Sequence, residues 1–435
     1  MAVDMARFDE RLTLDHVAEG GPIDPELAKA TAEVIFKTHS DSVIAPHQPW
    51  LESIPMIITR NSATFRFTCH LETDEIDGLE HASLSMFERL RGLLELRGRL
   101  GFVRRCHGDL HLANIVVIDR QPVLFDAIEF DAGIASVDVL YDLAFVIMDL
   151  IHHGGDAAAN RVINEYLARA PEENLDALAL FPLFMSLRAA IRANVLLTQL
   201  DGEGNPMNIR KKAQAYFGLA LHLISPSAPR LVAIGGLSGT GKSTLGRMLA
   251  ATIPPPPGAI ILRSDVMRKM IFHVKETEQL PSPAYQLATA VAVYQILADR
   301  AARILEQGCS VIVDAVFAHE FERSAIRRAA EGADCIFVDI FLTADLETRI
   351  KRVGRRSGDA SDATPEIAAR LETYDLGPLD WTVVDASGPP ERTFKRRTAL
   401  LAQISSRRMP APHLSNATGN DQRINTTPIL FLRSD

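Results

Sequence analysis

The run Gly235–Thr244, GGLSGTGKST, holds the residue types and spacing best suited to chemistry in this sequence. From Gly236 to Ser243 it reads GxxxxGK[ST]. Glycines so placed let the backbone wrap an anion, with its N–H groups converging on phosphate oxygens. Gly236, Leu237, Ser238, Gly239, Thr240, Gly241 and Thr244 would form that cradle. Lys242 would reach the terminal phosphates, and Ser243 would offer a hydroxyl to Mg2+. The apolar run LVAIG before the loop and STLGRMLAA after it supply the strand and helix that the motif requires. Two acids end strands of the same expected sheet: Asp265 just past ILRS, and Asp314 closing SVIV. A carboxylate there can hold Mg2+ or take a proton from an attacking hydroxyl; it can also simply cap the next helix. Arg349, Arg352, Arg355 and Arg356 lead into the polar segment GRRSGDASDATPE. They read as a lid whose guanidinium groups stabilise a transferring phosphoryl group, or as a solvated basic face.

The first half carries a second constellation. In HGDLHLAN, Asp109 and Asn114 put a base and a metal ligand on one short loop, and Asp126 follows the next apolar run as a further metal ligand. Asp138 and Tyr141–Ala144 (YDLA) then open a helix. His107 reads as a structural residue of the loop. Upstream of it the only lysines are Lys29 and Lys37, both in an expected helix, and no strand–glycine loop–strand pattern precedes them. A strand lysine for the α- and β-phosphates is thus lacking, so either a start further upstream or weak independent ATP binding in this half is expected.

These residues need elements to hold them. Asp24-Pro25-Glu26 marks a helix start, and apolar residues recur at helical spacing to Thr38. Further helices are expected over 79–100, 136–153, 156–170, 175–200 and 207–224, with strands and turns over 103–131. Ser225–Pro229, SPSAP, is a helix-breaking linker. Beyond it, strands at 231–234, 259–263, 310–313, 335–342 and 382–384 alternate with helices at 243–252, 284–307, 319–331, 345–353, 364–374 and 389–405. That alternation predicts a parallel sheet covered on both faces. The chain divides into 1–224, the linker 225–229, a phosphate-loop domain at 230–406 and a polar tail, 407–435, expected to be disordered.

The second half resembles the P-loop small-molecule kinases of the zeta-toxin, gluconate-kinase and chloramphenicol-phosphotransferase type. The resemblance rests on GGLSGTGKST, RSDVMRK, VIVDAVF and the arginine-rich segment running into SDAT. It implies that Asp265 is the base acting on the acceptor hydroxyl and that Arg268 binds the acceptor. Arg352 and Arg355 or Arg356 would be the lid arginines, Asp314 would lie near Mg2+ or substrate, and Val383–Gly388 would lie beside the nucleotide base. The first half resembles the aminoglycoside phosphotransferase family through HGDxxxxN, a strand-borne Asp and DLA. That likeness implies a kinase-like C-lobe and a catalytic role for Asp109. The whole arrangement looks like a class of predicted bacterial bifunctional proteins. The fold class expected is α/β: a C-terminal P-loop NTPase three-layer parallel sheet and a mostly helical N-terminal kinase-like C-lobe.

The bulk numbers fit a two-domain globular protein: 435 residues, 47% hydrophobic and 23% charged. A net charge of −9 argues against a general binder of nucleic acid or anionic membrane. Cys69, Cys106, Cys309 and Cys335 form no CxxC pair and read as small buried hydrophobes in a reducing compartment. The charged N-terminus has no signal-peptide h-region, and the apolar stretches 139–151 and 177–191 are interrupted by Asp142, Asp149 and Arg188. A cytoplasmic, ATP- and Mg2+-dependent kinase of a small-molecule hydroxyl is the expected function. An ATP-binding sensor without phosphoryl transfer and a plain ATPase are the alternatives.

Overall fold

Local chemistry explains where the helices start. Asp24 accepts a hydrogen bond from Glu26 N at 2.8 Å, and Pro25 opens the helix that follows. Asp138 accepts from Leu140 N at 2.8 Å and caps the helix at the centre of the N-terminal half. The computed structural model describes residues 8–200, 206–275, 277–355, 360–370, 372 and 376–395. The tail 407–435, Arg356 and the end of the helix expected over 389–405 lie outside them.

The N-terminal half opens with α1 (Leu14–Gly20), α2 (Pro25–Asp41), α3 (Gln48–Thr68) and α4 (Thr73–Arg99). Next come β1 (Val103–Arg105), β2 (Ile115–Ile118), β3 (Gln121–Leu124), a short α5 (Ala132–Ala135) and β4 (Ser136–Asp138). They pair as two antiparallel ladders, β1 with β4 and β2 with β3. α6 (Val139–His152), α7 (Asp156–Leu167), α8 (Phe181–Thr198) and α9 (Pro206–Ile224) complete this half. Every residue of α6 from Val139 to Leu150 is buried, so this helix is the axis around which the others pack.

Sequence expectations change here: α1 precedes the first expected helix, and the helix expected over 136–153 starts at Val139 because Ser136–Asp138 form β4. α3 fills a stretch left without an element, and α4 begins at Thr73 rather than at 79. The single helix expected over 175–200 is a 3-10 segment, Glu172–Leu180, followed by α8, with Pro182 in the first turn of the second piece. The run Glu172–Thr198 is long and apolar enough to cross a membrane by length and composition, but 67% of its most apolar window is buried in the protein.

The C-terminal half alternates β5 (Arg230–Gly236), α10 (Lys242–Ala250), β6 (Ile260–Arg263), α11 (Ser264–Ile271), α12 (Leu287–Glu306), β7 (Val311–Asp314), α13 (Glu320–Gly332), β8 (Ile336–Thr343), α14 (Leu346–Gly354), α15 (Pro365–Arg370) and β9 (Thr382–Asp385). The five strands form a parallel sheet in the order β6-β7-β5-β8-β9. Successive residues of β5 serve opposite faces. Val232 and Ile234 pack with Leu245 and Leu249 of α10. Leu231 and Ala233 join Val293, Leu297 and Ile326 of α12 and α13 on the other face, in a core continuous with that of the N-terminal half. The expected three-layer α/β architecture is thus present, beside a mostly helical N-terminal half.

Candidate active site

β5 ends at Gly236 with φ +136°, where the chain turns into the phosphate loop. Gly236 N–H donates to Val316 O at 3.1 Å, tying the loop to the segment after β7. The loop ends at Gly241, in the left-handed region, and α10 starts at Lys242, so the helix N-terminus faces the cradle. Gly239 cannot be replaced without displacement: it has φ +88°, and a Cβ there would lie 2.6 Å from Arg349 O. Leu237, Ser238, Gly241, Lys242, Ser243 and Thr244 are partly exposed, while Gly236, Gly239 and Thr240 are buried. Lys242 Nζ donates to Leu237 O at 3.3 Å, folding over its own loop.

The two strand-end acids meet this loop from the sheet. Ser243 Oγ donates to Asp314 Oδ2 at 2.5 Å, and Arg263 Nε lies 3.5 Å from the same oxygen. Asp265 stands in the first turn of α11, and Arg268 NH1 is 4.0 Å from its Oδ1. Burial raises the Asp265 carboxyl above its ordinary value. Arg263 pulls it down and the charge of Asp314 pushes it up, leaving the net shift upward. Its side chain nonetheless keeps 35% of its surface accessible, so solvent reaches it beside Arg268. Arg268 also lies over the ring of Tyr285, 5.4 Å from the centroid.

The arginines of α14 take different places. Arg349 is 2% exposed; it donates from Nε to Ser238 O at 3.0 Å and from NH2 to Ala368 O at 2.8 Å, and it pairs with Glu372. It props the phosphate loop from behind, which corrects both the lid reading and the solvated-face reading for this residue. Arg352 donates to Thr240 O at 3.4 Å and to Ala386 O and Gly388 O at 2.8 Å each, joining the phosphate loop to the 383–388 segment. Arg355 is exposed at the C-terminal end of the helix.

Sequence reasoning missed one cluster entirely. Asp362 accepts from Lys269 Nζ at 2.9 Å, Leu280 N at 2.9 Å and Tyr285 Oη at 2.7 Å. These contacts fix the wall behind Arg268. The signal was a lysine, Lys269, on the apolar side of a short helix, where it is 2% exposed.

In the N-terminal half the structure brings Asp109 and Asn114 together: Asn114 Nδ2 donates to Asp109 O at 2.8 Å. Phe125 N donates to Asn114 O at 3.1 Å, so Asp126 follows directly, exposed and with φ +59°. His107 is buried and contacts Phe125 O through Nε2 at 2.8 Å, a structural placement. Burial alone would raise the Asp109 carboxyl; the hydrogen bond and charge of His111, with Arg188 and Arg192, outweigh it and hold the group below its usual value. Two buried acids of α6 hold the loop backbone. Asp142 accepts from His107 N at 3.3 Å and Gly108 N at 2.9 Å, and Asp149 accepts from Leu112 N at 2.9 Å. Asp142 also faces His39 Nε2 at 3.2 Å and Arg188 NH2 at 3.6 Å. Replacing Asp142 with asparagine removes the buried charge that Arg188 faces and that His39 contacts, and should cost roughly 2 kcal/mol of stability. Urea unfolding of the full chain measures it, and an unchanged midpoint would contradict this account of the loop.

Residues 231–374 match the family model described as an AAA domain. The phosphate loop, both strand-end acids and α14 all fall inside that match. An uncharacterized protein of Mycobacterium tuberculosis is 30% identical over 327 residues, covering 74% of this chain and 64% of the relative. The chain thus spans less than two thirds of that relative's length. An adenylyl-sulfate kinase of Myxococcus xanthus is 29% identical over 131 residues, covering 29% of this chain and 64% of that enzyme. Among solved structures, an APS kinase of M. tuberculosis in complex with AMPPNP and APS aligns at 18% identity and a TM-score of 0.32, over 41% of this chain and 99% of that one.

Proposed function

We propose that the chain is a kinase that uses the phosphate-loop half to transfer the γ-phosphoryl group of ATP to a hydroxyl of a small molecule. One observation carries this reading. A solvent-accessible carboxylate, Asp265, stands with Arg268 4.0 Å away just past the strand whose last residue, Arg263, lies beside Asp314 and through it Ser243 of the phosphate loop. A nucleotide sensor needs the loop but has no use for such a base. The likeness to an adenylyl-sulfate kinase supports the same chemistry.

The backbone amides of Gly236–Thr244 and the N-terminus of α10 take the phosphates, and Lys242 swings from Leu237 O to the terminal ones. Ser243 and Asp314 present oxygen donors 2.5 Å apart, a set that suits Mg2+, which prefers oxygen ligands. Mg2+ held by Ser243 and Asp314 would offset phosphate charge. Arg268 orients the acceptor from a wall fixed by Tyr285 and Asp362. Asp265 accepts the hydroxyl proton as the acceptor oxygen bonds to phosphorus and the bond to the ADP oxygen breaks. Arg352 and Arg355 contribute positive charge on the nucleotide side.

The N-terminal half keeps a phosphotransferase-like loop at Asp109, Asn114 and Asp126, and its role in this proposal is support rather than a second reaction. The test is a panel of hydroxyl-bearing metabolites offered to the full chain with Mg-ATP, read as acceptor-dependent ADP release. At least one acceptor should raise ADP release well above the hydrolysis background. Tight ATP binding with no stimulation across a broad panel would favour the sensor reading.

A further inference from the structure

β6 is an edge strand of the parallel sheet, and an edge leaves a row of backbone groups without a strand partner. Backbone groups of alternate residues point to the same side of a strand. On β6 the groups turned away from β7 come from Ala259 and Ile261, and they meet side chains of α7 from the N-terminal half. Asn164 Nδ2 donates to Ala259 O at 3.2 Å, and Asn164 Oδ1 accepts from Ile261 N at 2.8 Å. Asn160 Nδ2 donates to Ala259 O and to Pro257 O at 3.0 Å each. A carboxamide has one donor end and one acceptor end, like a peptide group. Asn164 therefore stands where a residue of a sixth strand would stand. Asn160 and Asn164 lie four residues apart, on one face of α7. The approach is close: a Cβ on Gly258 would lie 2.7 Å from Asn160 Nδ2.

The next residues along β6 are those of the cleft. Arg263 ends the strand beside Asp314, and the chain enters α11 with Asp265 in its first turn. We infer that Asn164, with Asn160, is a positioning residue of the phosphoryl-transfer site: by completing the edge of β6 it fixes the height of Arg263 and Asp265 against the phosphate loop. The phosphate loop itself hangs from β5, two strands away, so the bridge acts on the acceptor side and not on nucleotide binding. This inference rests on the kinase reading above. It assigns the N-terminal half a part in the reaction that does not depend on Asp109.

The test uses the full chain as wild type, Asn164→Ala and Asn164→Gln. Three quantities are measured: amide hydrogen exchange over residues 259–263, calorimetric affinity for Mg-AMPPNP, and hydrolysis of Mg-ATP with water as acceptor. In Asn164→Ala, the Ile261 amide should exchange about tenfold faster or more. AMPPNP affinity should stay within about twofold, while hydrolysis should fall roughly tenfold with KM for ATP unchanged. Asn164→Gln, which keeps the carboxamide, should recover part of that loss. Unchanged hydrolysis despite faster exchange would overturn the inference, leaving the bridge a structural seam. A parallel loss of AMPPNP affinity would overturn it too, because the bridge would then hold the whole phosphate-loop half. If the wild type binds AMPPNP but releases no ADP either with water or with any acceptor of the metabolite panel, the kinase reading itself fails, an outcome distinct from wild-type turnover that Asn164→Ala leaves intact.

Discussion

Lys242→Ala is expected to abolish turnover and to weaken Mg-ATP binding about a hundredfold, equivalent to ~2.7 kcal/mol. The lysine begins the helix that faces the cradle, and in the free protein its ammonium group rests on Leu237 O at 3.3 Å. That contact sets the ammonium against an uncharged carbonyl, so exchanging it for a phosphate oxygen adds ion–ion attraction to the hydrogen bond. Alanine removes the bond and leaves the phosphate charge facing only backbone N–H groups. Calorimetry with Mg-ATP and an ADP-release assay on the full chain measure both effects. Unchanged affinity together with an unchanged rate would sink the assignment of the phosphate loop. The same variant reports on the other half. Residual binding in it that is lost on a further Asp109→Ala change would belong to Asp109, Asn114 and Asp126, and none of that kind is expected, because two carboxylates and an amide hold a metal–nucleotide complex weakly.

Asp265→Asn should leave Mg-ATP binding near wild type and lower phosphoryl transfer roughly 10²-fold or more. Asparagine has nearly the same shape but cannot take the acceptor proton. The pH dependence carries a second signature. A carboxyl raised by burial stays protonated to a higher pH than a free one. A base is useful only when deprotonated, so the wild-type rate should fall on the acid side through a pKa above the ordinary carboxylate value of 3.8. That acid limb should vanish in the variant. Folding should not suffer: a group whose pKa is raised in the folded state weakens the fold once ionised, so the neutral amide should melt no lower than wild type at neutral pH. Loss of ATP binding with the substitution would move Asp265 to a metal or structural role, and near-normal transfer would remove it from the mechanism.

Much of the site could be read from sequence because its parts are local. The phosphate loop is a contiguous run, and Asp265 and Asp314 follow apolar strands whose ends face the ligand crevice in such sheets. What sequence reasoning missed depends on partners far along the chain. Arg349 sits among other arginines and reads as surface charge; only the close approach of its backbone to Gly239 puts it behind the loop. Asp362 lies in a polar segment, and its partners Lys269 and Tyr285 come from 93 and 77 residues away. Asn160 and Asn164 recognise backbone atoms, which leave no mark in the residue types of their partner. The missed helix α3 has a different cause. Trp50, Leu51, Ile54, Ile58, Asn61, Ser62 and Phe65 are its buried residues and follow the helical period closely. Pro49 and Pro55, with three threonines along the same run, argued against a helix on propensity, and burial of the Trp50 face overrode them.

The core that runs unbroken from Leu14 to Trp381 bears on how this gene could be cut. The linker Ser225–Pro229 invites expression of either half alone, yet α7 and the 3-10 segment Glu172–Leu180 pack on β6, α10 and α12, and one buried cluster includes residues of both halves. Severing the chain at the linker would uncover on each fragment the mixed apolar and polar surface that the other covers. Two polypeptides made separately in one cell should therefore find each other and act as a split protein, whereas either made alone should precipitate. Any lineage that parted the two coding segments would have had to keep both products in the same compartment and in equal amounts.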